Sequence, residues 1–293
     1  MRHFVLAAAI LMSACASAPA APGGPAPSVA DILAQASAEE WRTLDPENLL
    51  VMDLPRGQVI IELAPEFAPQ HAVNLRALAR ESYFDGAAVV RAQDNFVAQW
   101  SRTEESPREI RTGRATLPPE FTRPRPGVAF TALPDGDVYA REAGFAGGFP
   151  AARDGREIWL AHCYGMVGAG RDVASDSGSG TELYAVTGHA PRQLDRNITL
   201  VGRVVQGIEL LSALPRGTGA LGFYETPAER TAIARVRVGA DMEAPPRLQA
   251  LRTDSARFAR LTEARRNRRD EWYKVPAGAI ELCNVPLPVR PAP

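Results

Sequence analysis

Three residues stand out for the chemistry their types allow: Arg91, Phe96 and Gln99, spaced five and eight positions apart within Phe84–Ser101 (FDGAAVVRAQDNFVAQWS). A guanidinium stays charged and presents a rigid fork of donors. An aromatic ring beside it offers an apolar wall, and a carboxamide offers both a donor and an acceptor. The surrounding run reads as strand. Spacing alone leaves two readings level: a solvated arginine on an edge strand, or a functional set.

Other chemistry is missing. The histidines are His3, His71, His162 and His189, and no H-E-x-x-H or C-x-x-C zinc signature occurs. There is no G-x-S-x-G nucleophile elbow. Gly165-x-x-Gly168-x-Gly170 lacks the G-K-[ST] ending and following helix of a phosphate loop, and reads as turns. His162 reads as a strand residue near Cys163. Asp172, Asp176 and Asp195 lie in Gly- and Ser-rich stretches and read as turn residues rather than metal ligands. Nothing points to a His/Asp hydrolase. No metal and no cofactor are expected. The formal net charge of −1 argues against a polyanion partner such as nucleic acid.

The elements that must position these residues are short. With 25 prolines and 24 glycines, turns and brief strands are favoured over long helices. Ser28 to Asp31 reads as a capping box opening a helix through Ile32, Leu33 and Trp41, ended by Asp45-Pro46. Leu49–Leu54 and Gln58–Leu63 form a hairpin. A helix over 68–80 has Pro69 in its first turn and Val73, Ala77 and Leu78 on one face. Residues 102–157 read as long loops with short strands, one at Val128–Thr131. Further strands are expected at Glu157–Cys163, Gly165–Ala169, Leu183–Thr187, Asn197–Val205 and Thr231–Val238, with a helix at Ile208–Leu214. Asp254–Lys274 should be a helix rich in arginine (Arg257, Arg260, Arg265, Arg266, Arg268, Arg269). It is either a solvated face paired with nearby acids or a basic face toward an anionic membrane. Strands without strand-helix-strand alternation predict a mainly antiparallel barrel or sandwich.

The N-terminus reads as a targeting segment. Met1-Arg2-His3 is basic, and Phe4–Met12 is apolar but too short to span a bilayer. Ser13-Ala14-Cys15 then resembles the bacterial lipobox, whose cysteine is lipidated. Met12 stands where that motif usually has Leu or Val. A plain secretory signal cut near Ala18 or Ala20 is the other reading. Residues 1–15 are thus expected as signal, followed over 16–48 by an Ala/Pro-rich tether and a short helix. Either route exports the chain, with the periplasm and a membrane anchor through Cys15 as the expectation. Export permits disulfides, so Cys163 and Cys283 are either a bridge pinning the tail or two free thiols.

The ordered set of motifs resembles the cyclophilin-type peptidyl-prolyl isomerases. It comprises Gly57-x-Val59-x-Ile61-Glu62-Leu63, the A-P-Q-H-A-V-N-L-R-A-L helix, Tyr83-Phe84-Asp85-Gly86 and V-V-R-A-Q-D-N-F-V-A-Q. After these come Glu120-Phe121, Gly178 to Tyr184, Leu194-Asp195 and Val201-Gly202-Arg203-Val204-Val205-Gln206-Gly207-Ile208. The resemblance covers 49–240 and leaves 241–293 as a partly helical extension. It implies an eight-stranded antiparallel barrel capped by two helices, here with a long loop insertion. It implies proline-containing polypeptides as substrates, Arg91 as the catalytic arginine, and Phe96, Val97, Gln99, Leu183 and Ile198 as substrate-binding positions. Val90 replaces the histidine before the arginine, and Trp100-Ser101 replace a glycine-aspartate. Thr181 stands for the strand glutamine and Glu182 for one of its aromatics. Gln193 stands for a tryptophan and Ile198 for a pocket histidine. Two functions follow: an isomerase assisting the folding of exported envelope proteins, or a catalytically weak or inactive cyclophilin-fold module that binds peptides as a chaperone.

Metabolic labelling with palmitate is expected to mark the wild-type chain and to be lost in Cys15→Ser. Label persisting in the variant would return Cys15 to a discarded signal.

Overall fold

The computed structural model describes residues 27–269 and 272–293. The signal segment, Cys15 and the tether up to residue 26 lie outside the described residues.

The N-terminal hairpin forms as its sequence predicts. Leu49–Leu54 (β1) pairs with Gly57–Leu63 (β2) across a two-residue turn. Helix Pro69–Arg80 follows, with Pro69 at its first helical position, where a missing N–H costs nothing. No side chain of its own caps it. The carboxylate of Glu120, fifty positions on, accepts from the amides of Gln70 and His71, both at 3.0 Å. Its buried face runs through His71, Ala72, Leu75, Leu78 and Ala79. Val73 does not share it: it is 60% exposed, because it lies about 100° round the helix from Ala72.

The stretch that holds Arg91 is not one strand but a second hairpin. Ala88–Ala92 (β3) turns through Gln93–Phe96 into Val97–Ser101 (β4). Met166–Ala169 (β5), Glu182–Val186 (β6), Leu200–Gln206 (β7), Thr231–Ala232 (β8) and Arg235–Val238 (β9) complete the sheet. Every pairing is antiparallel, in the order β8-β3-β4-β6-β5-β7-β2-β1-β9. The expected strand Thr231–Val238 is broken into β8 and β9 at Ile233-Ala234. There the Ile233 amide donates to Ala87 O on one side, and the Ala234 amide donates to Asp53 O on the other. One short segment thus reaches both ends of the curled sheet. Leu50, Met52, Ile61, Trp100, Leu183 and Val201 fill the interior, with Leu75 and Leu78 packing in from the 69–80 helix. Leu211, on the short helix Ile208–Ser212, packs into the same core.

From residue 123 onward the short strands expected within 102–157 are present, and they pair with one another instead of standing isolated in loops. Arg123–Pro124, Thr131–Ala132, Glu142–Ala146, Phe149–Arg153 and Glu157–Leu160 build a second, five-stranded antiparallel sheet. Its central hairpin, E-A-G-F-A/F-P-A-A-R, is buried along almost its whole length, so it carries no polar-apolar alternation. Gly147-Gly148 turns it with both φ angles positive, and that pair was the readable signal. At Val128–Thr131 only Thr131 is strand.

The flanks also differ from expectation. The first helix stops at Ala34, and Trp41 lies in a strand, Trp41–Thr43. That strand pairs with Leu248–Leu251, which pairs with Val289–Pro291. The arginine-rich helix spans Ala256–Arg266 only. Its Phe258 meets Phe145 edge-on at 4.9 Å between ring centroids, in a second core with Ile32, Trp41, Phe149 and Leu261. Arg257 pairs with Glu40 and Arg266 with Asp135, while Arg260, Arg265, Arg268 and Arg269 are exposed. Cys163 and Cys283 are joined, with Cα atoms 4.9 Å apart across 120 positions of sequence.

Closing so long a loop restricts the unfolded chain strongly. Replacing both cysteines by alanine is expected to cost about 2–4 kcal/mol of stability. Urea unfolding under non-reducing conditions measures this; an unchanged midpoint would contradict it.

Candidate active site

A bulge sets the site. Between β3 and β4 the register pairs Val89 with Trp100 but Arg91 with Gln99, so Val90 is an extra residue. The carbonyl of Val90 takes the Tyr224 amide at 3.0 Å instead of a ladder partner. A bulge re-aims the side chain that follows, and here it brings the Arg91 guanidinium against the Gln99 carboxamide.

Arg91 is held on three sides. Nη1 donates to Gln99 Oε1 at 2.9 Å, Nε to Leu221 O at 2.7 Å, and Nη2 to Gln93 Oε1. The rings of Phe96 and Phe223 flank it, with centroids 5.5 and 5.2 Å from its Cζ. Burial lowers the guanidinium's pKa, and the nearby charge of Glu182 opposes that shift. A guanidinium remains a cation all the same. Gln99 is buried, and its Nε2 donates to Glu182 Oε1. The three side chains form a line: guanidinium, carboxamide, carboxylate.

Beside this line lies a cleft of about 180 Å³ lined by Arg91, Phe96, Val97, Gln99, Gly170, Arg171, Glu182, Tyr184, Leu194 and Ile198. Its apolar wall is a small cluster of Val97, Tyr184, Val186, Phe96 and Ile198. The structure thus brings together Arg91, Phe96, Val97, Gln99 and Ile198.

Leu183 is the exception and needs correcting. It lies in the barrel core, on the far side of β6 from the cleft. Successive strand residues point to opposite faces, so Glu182 and Tyr184 face the cleft and Leu183 and Ala185 do not. The match to the family's Ser-Gln-Phe-Phe-Ile strand therefore moves by one residue. Glu182 takes the place of the glutamine and Tyr184 that of the pocket phenylalanine. Alternation along Glu182–Val186 carried this information.

Behind the wall runs a buried polar chain that sequence reasoning missed. His162 Nδ1–H donates to Asp195 Oδ1 at 2.9 Å, which leaves Nε2 to accept from Tyr184 Oη at 2.9 Å. Asp195 Oδ2 takes Arg192 Nε at 2.6 Å, and the rest of that guanidinium reaches both oxygens of Asp137, at 2.9 and 3.2 Å. Burial, with the charge of Asp195, pushes the Tyr184 hydroxyl far above its ordinary pKa, so it stays a donor. Gly168 makes room for the ring: a Cβ there would lie 2.3 Å from its Cζ. His162 and Asp195 are therefore members of a buried hydrogen-bonded chain, not a bland strand residue and a turn former. Their separation by 33 positions gave no local signal.

Comparison with known proteins shows the family and the fold. A family model described as cyclophilin type peptidyl-prolyl cis-trans isomerase/CLD matches residues 49–238. A probable peptidyl-prolyl cis-trans isomerase from Brucella suis biovar 1 (strain 1330) is 26% identical over 177 residues, covering 60% of this chain and 76% of that protein. The one from Brucella abortus (strain 2308) is 25% identical over the same length and coverage. Among solved structures, cyclophilin AquaCyp293 from Hirschia baltica matches with a TM-score of 0.68 at 24% identity, covering 89% of this chain and 96% of that one. That likeness is one of fold. Its coverage shows that it extends well beyond the segment the family model matches.

Tyr184→Phe keeps the apolar wall but leaves His162 Nε2 without its buried partner. It is expected to lower unfolding stability by about 1–3 kcal/mol. Guanidinium denaturation measures the loss, and wild-type stability would break the chain at that link.

Proposed function

The chain belongs to the cyclophilin-type peptidyl-prolyl cis-trans isomerases, and we propose that it acts on X–Pro bonds of exported polypeptides with Arg91 as the catalytic cation. Rotation about an X–Pro bond faces a barrier of about 18–20 kcal/mol from amide resonance. It needs no nucleophile, metal or cofactor. As the bond twists, the proline nitrogen becomes pyramidal and basic. A fixed guanidinium beside it favours the twisted state over the planar one, which is the condition for acceleration. The proline ring fits the wall of Phe96, Val97, Tyr184 and Ile198, and Gln99 is placed to hold the peptide backbone. Arg91, set beside that apolar wall and paired with Gln99, is the observation that carries this reading.

The substrates are proline-containing segments of envelope proteins, and the chain is tethered in the periplasm through Cys15. A disulfide between Cys163 and Cys283 supports an oxidising compartment. One observation favours a second reading, a module that binds peptide with little turnover. All three donor nitrogens of Arg91 already have partners, so a substrate must exchange with Gln93, Gln99 or Leu221 to reach it.

An isomerisation assay on an X–Pro peptide, free of coupled protease, separates the two. Arg91→Ala is expected to lower kcat/KM by about 100-fold, the loss typical of one charge-stabilising donor. Equal rates in both proteins would remove Arg91 as the catalyst. A wild-type rate at background with peptide binding retained would establish the binding module.

A further inference from the structure

Glu182 is an acid in the wall of the site, and its surroundings give it a particular use. We propose that Glu182 is a positioning residue that fixes the orientation of the Gln99 carboxamide, and through it the Arg91 guanidinium, in a manner set by its own proton. The effect on turnover rests on the function proposed above; the effect on Gln99 does not.

What each group can accept or give fixes the arrangement. An ionised carboxylate has acceptors only, and an arginine has donors only. A carboxamide placed between them has one orientation that satisfies both. Its NH₂ faces Glu182 and its carbonyl faces Arg91, and this is the arrangement present. Gln99 is buried, so water offers little alternative to either bond. Once Glu182 takes a proton, its hydroxyl can donate to Gln99 Oε1. The amide is then free to turn its NH₂ toward Arg91, where two donors meet and the guanidinium loses an anchor.

The carboxylate is built into its position. Gly170 N–H donates to the Glu182 carbonyl at 2.9 Å. A Cβ on Gly170 would lie 2.4 Å from Glu182 Oε1. The absence of a side chain at 170 is thus what lets the carboxylate lie flat against the strand end.

The charged and titratable groups around Glu182 come from each neighbouring element. They are Arg91 on β3, Asp172 and Arg171 on the loop after β5, and Tyr83, itself beside Arg102, in the turn after the 69–80 helix. Arg171 spends its guanidinium on the carbonyls of Asn197, Asp172 and Val173. Burial raises the Glu182 pKa above its ordinary value. The Gln99 hydrogen bond opposes the shift, Asp172 adds to it, and Arg91 opposes it. The balance moves proton uptake toward neutral pH. The ordered amide is therefore the high-pH state, and order is lost as pH falls.

Two readouts test this in the full chain. In the wild type, kcat/KM on an X–Pro peptide should be lost progressively as the pH is lowered from about 7.5, as expected for a site that needs one ionised group. The Gln99 side-chain amide resonances in ¹H–¹⁵N spectra should move with the same midpoint. In Glu182→Gln both responses should vanish. In Gly170→Ala, which keeps the acid but crowds its carboxylate away, the shared midpoint should also vanish. An acid limb and a Gln99 titration that persist unchanged in both variants would overturn the proposal. If Arg91→Ala matches the wild type in rate, the catalytic reading fails, but the Gln99 resonances, which need no turnover, still decide whether Glu182 sets the amide.

Discussion

The constraint on which the site depends is the burial of charge behind it. Asp195 and Arg192 are both almost fully buried, and isolated ions there would be very unfavourable. They persist because each is paired on both sides: Arg192 lies between two aspartates, and Asp195 accepts from a guanidinium, an imidazole and a backbone amide. The chain ends at the Tyr184 hydroxyl, so the ring forming the cleft wall is fixed from behind. Its far end, Asp137, lies in the segment between the second and third strands of the second sheet. Removing any member leaves a buried polar group unsatisfied, so the wall and the second sheet depend on one another.

A second joint of the same kind ties the barrel to the flanks. Glu62 on β2 pairs with Arg42 at 2.5 Å and with the buried Arg203 on β7 at 3.4 Å. Arg42 belongs to the strand that pairs with Leu248–Leu251, so a flank arginine and a barrel arginine meet at one carboxylate. With the Cys163–Cys283 bond, these contacts make the N- and C-terminal flanks and the 123–160 sheet one body around a shared apolar core. A decorative insertion would have its own edge and little buried surface. Here Phe145, Phe149 and Ile158 meet Ile32, Leu251 and Phe258, which lie far away in sequence.

What could be read from sequence divides along this line. The hairpin β1–β2, the 69–80 helix and the strands from Met166 to Val238 follow local rules of alternation, turn residues and caps, and they were legible. So were Arg91, Phe96, Val97, Gln99 and Ile198, because an ordered set of motifs located them. The second sheet was not, since its strands are small, apolar and buried on both faces and lack alternation. Leu183 was misplaced by one residue, the smallest error that alternation can turn into the wrong face. The buried hydrogen-bonded chain joins positions 137, 162, 184, 192 and 195, and no local pattern marks such a set. Its members look like ordinary turn and strand residues until the barrel closes.

The same geometry bears on why Arg91 is so fully bonded in the free protein. A guanidinium half removed from water loses hydration and must recover it from fixed partners. Gln93, the Leu221 carbonyl and Gln99 supply that, and Phe96 and Phe223 shield what remains. Two of the three partners lie on turns: Gln93 opens the β3–β4 turn, and Leu221 is held at a φ of 56°. Gln99 alone lies within a strand, flanked by β3 and β6. A peptide carbonyl entering the cleft would therefore displace the turn contacts more readily than the strand contact. Arg91 with Gln99 is thus the contact held by the sheet itself. Its orientation depends in turn on the acid at 182, so a substitution that looks like damage to the pocket is instead part of what holds the arginine in place.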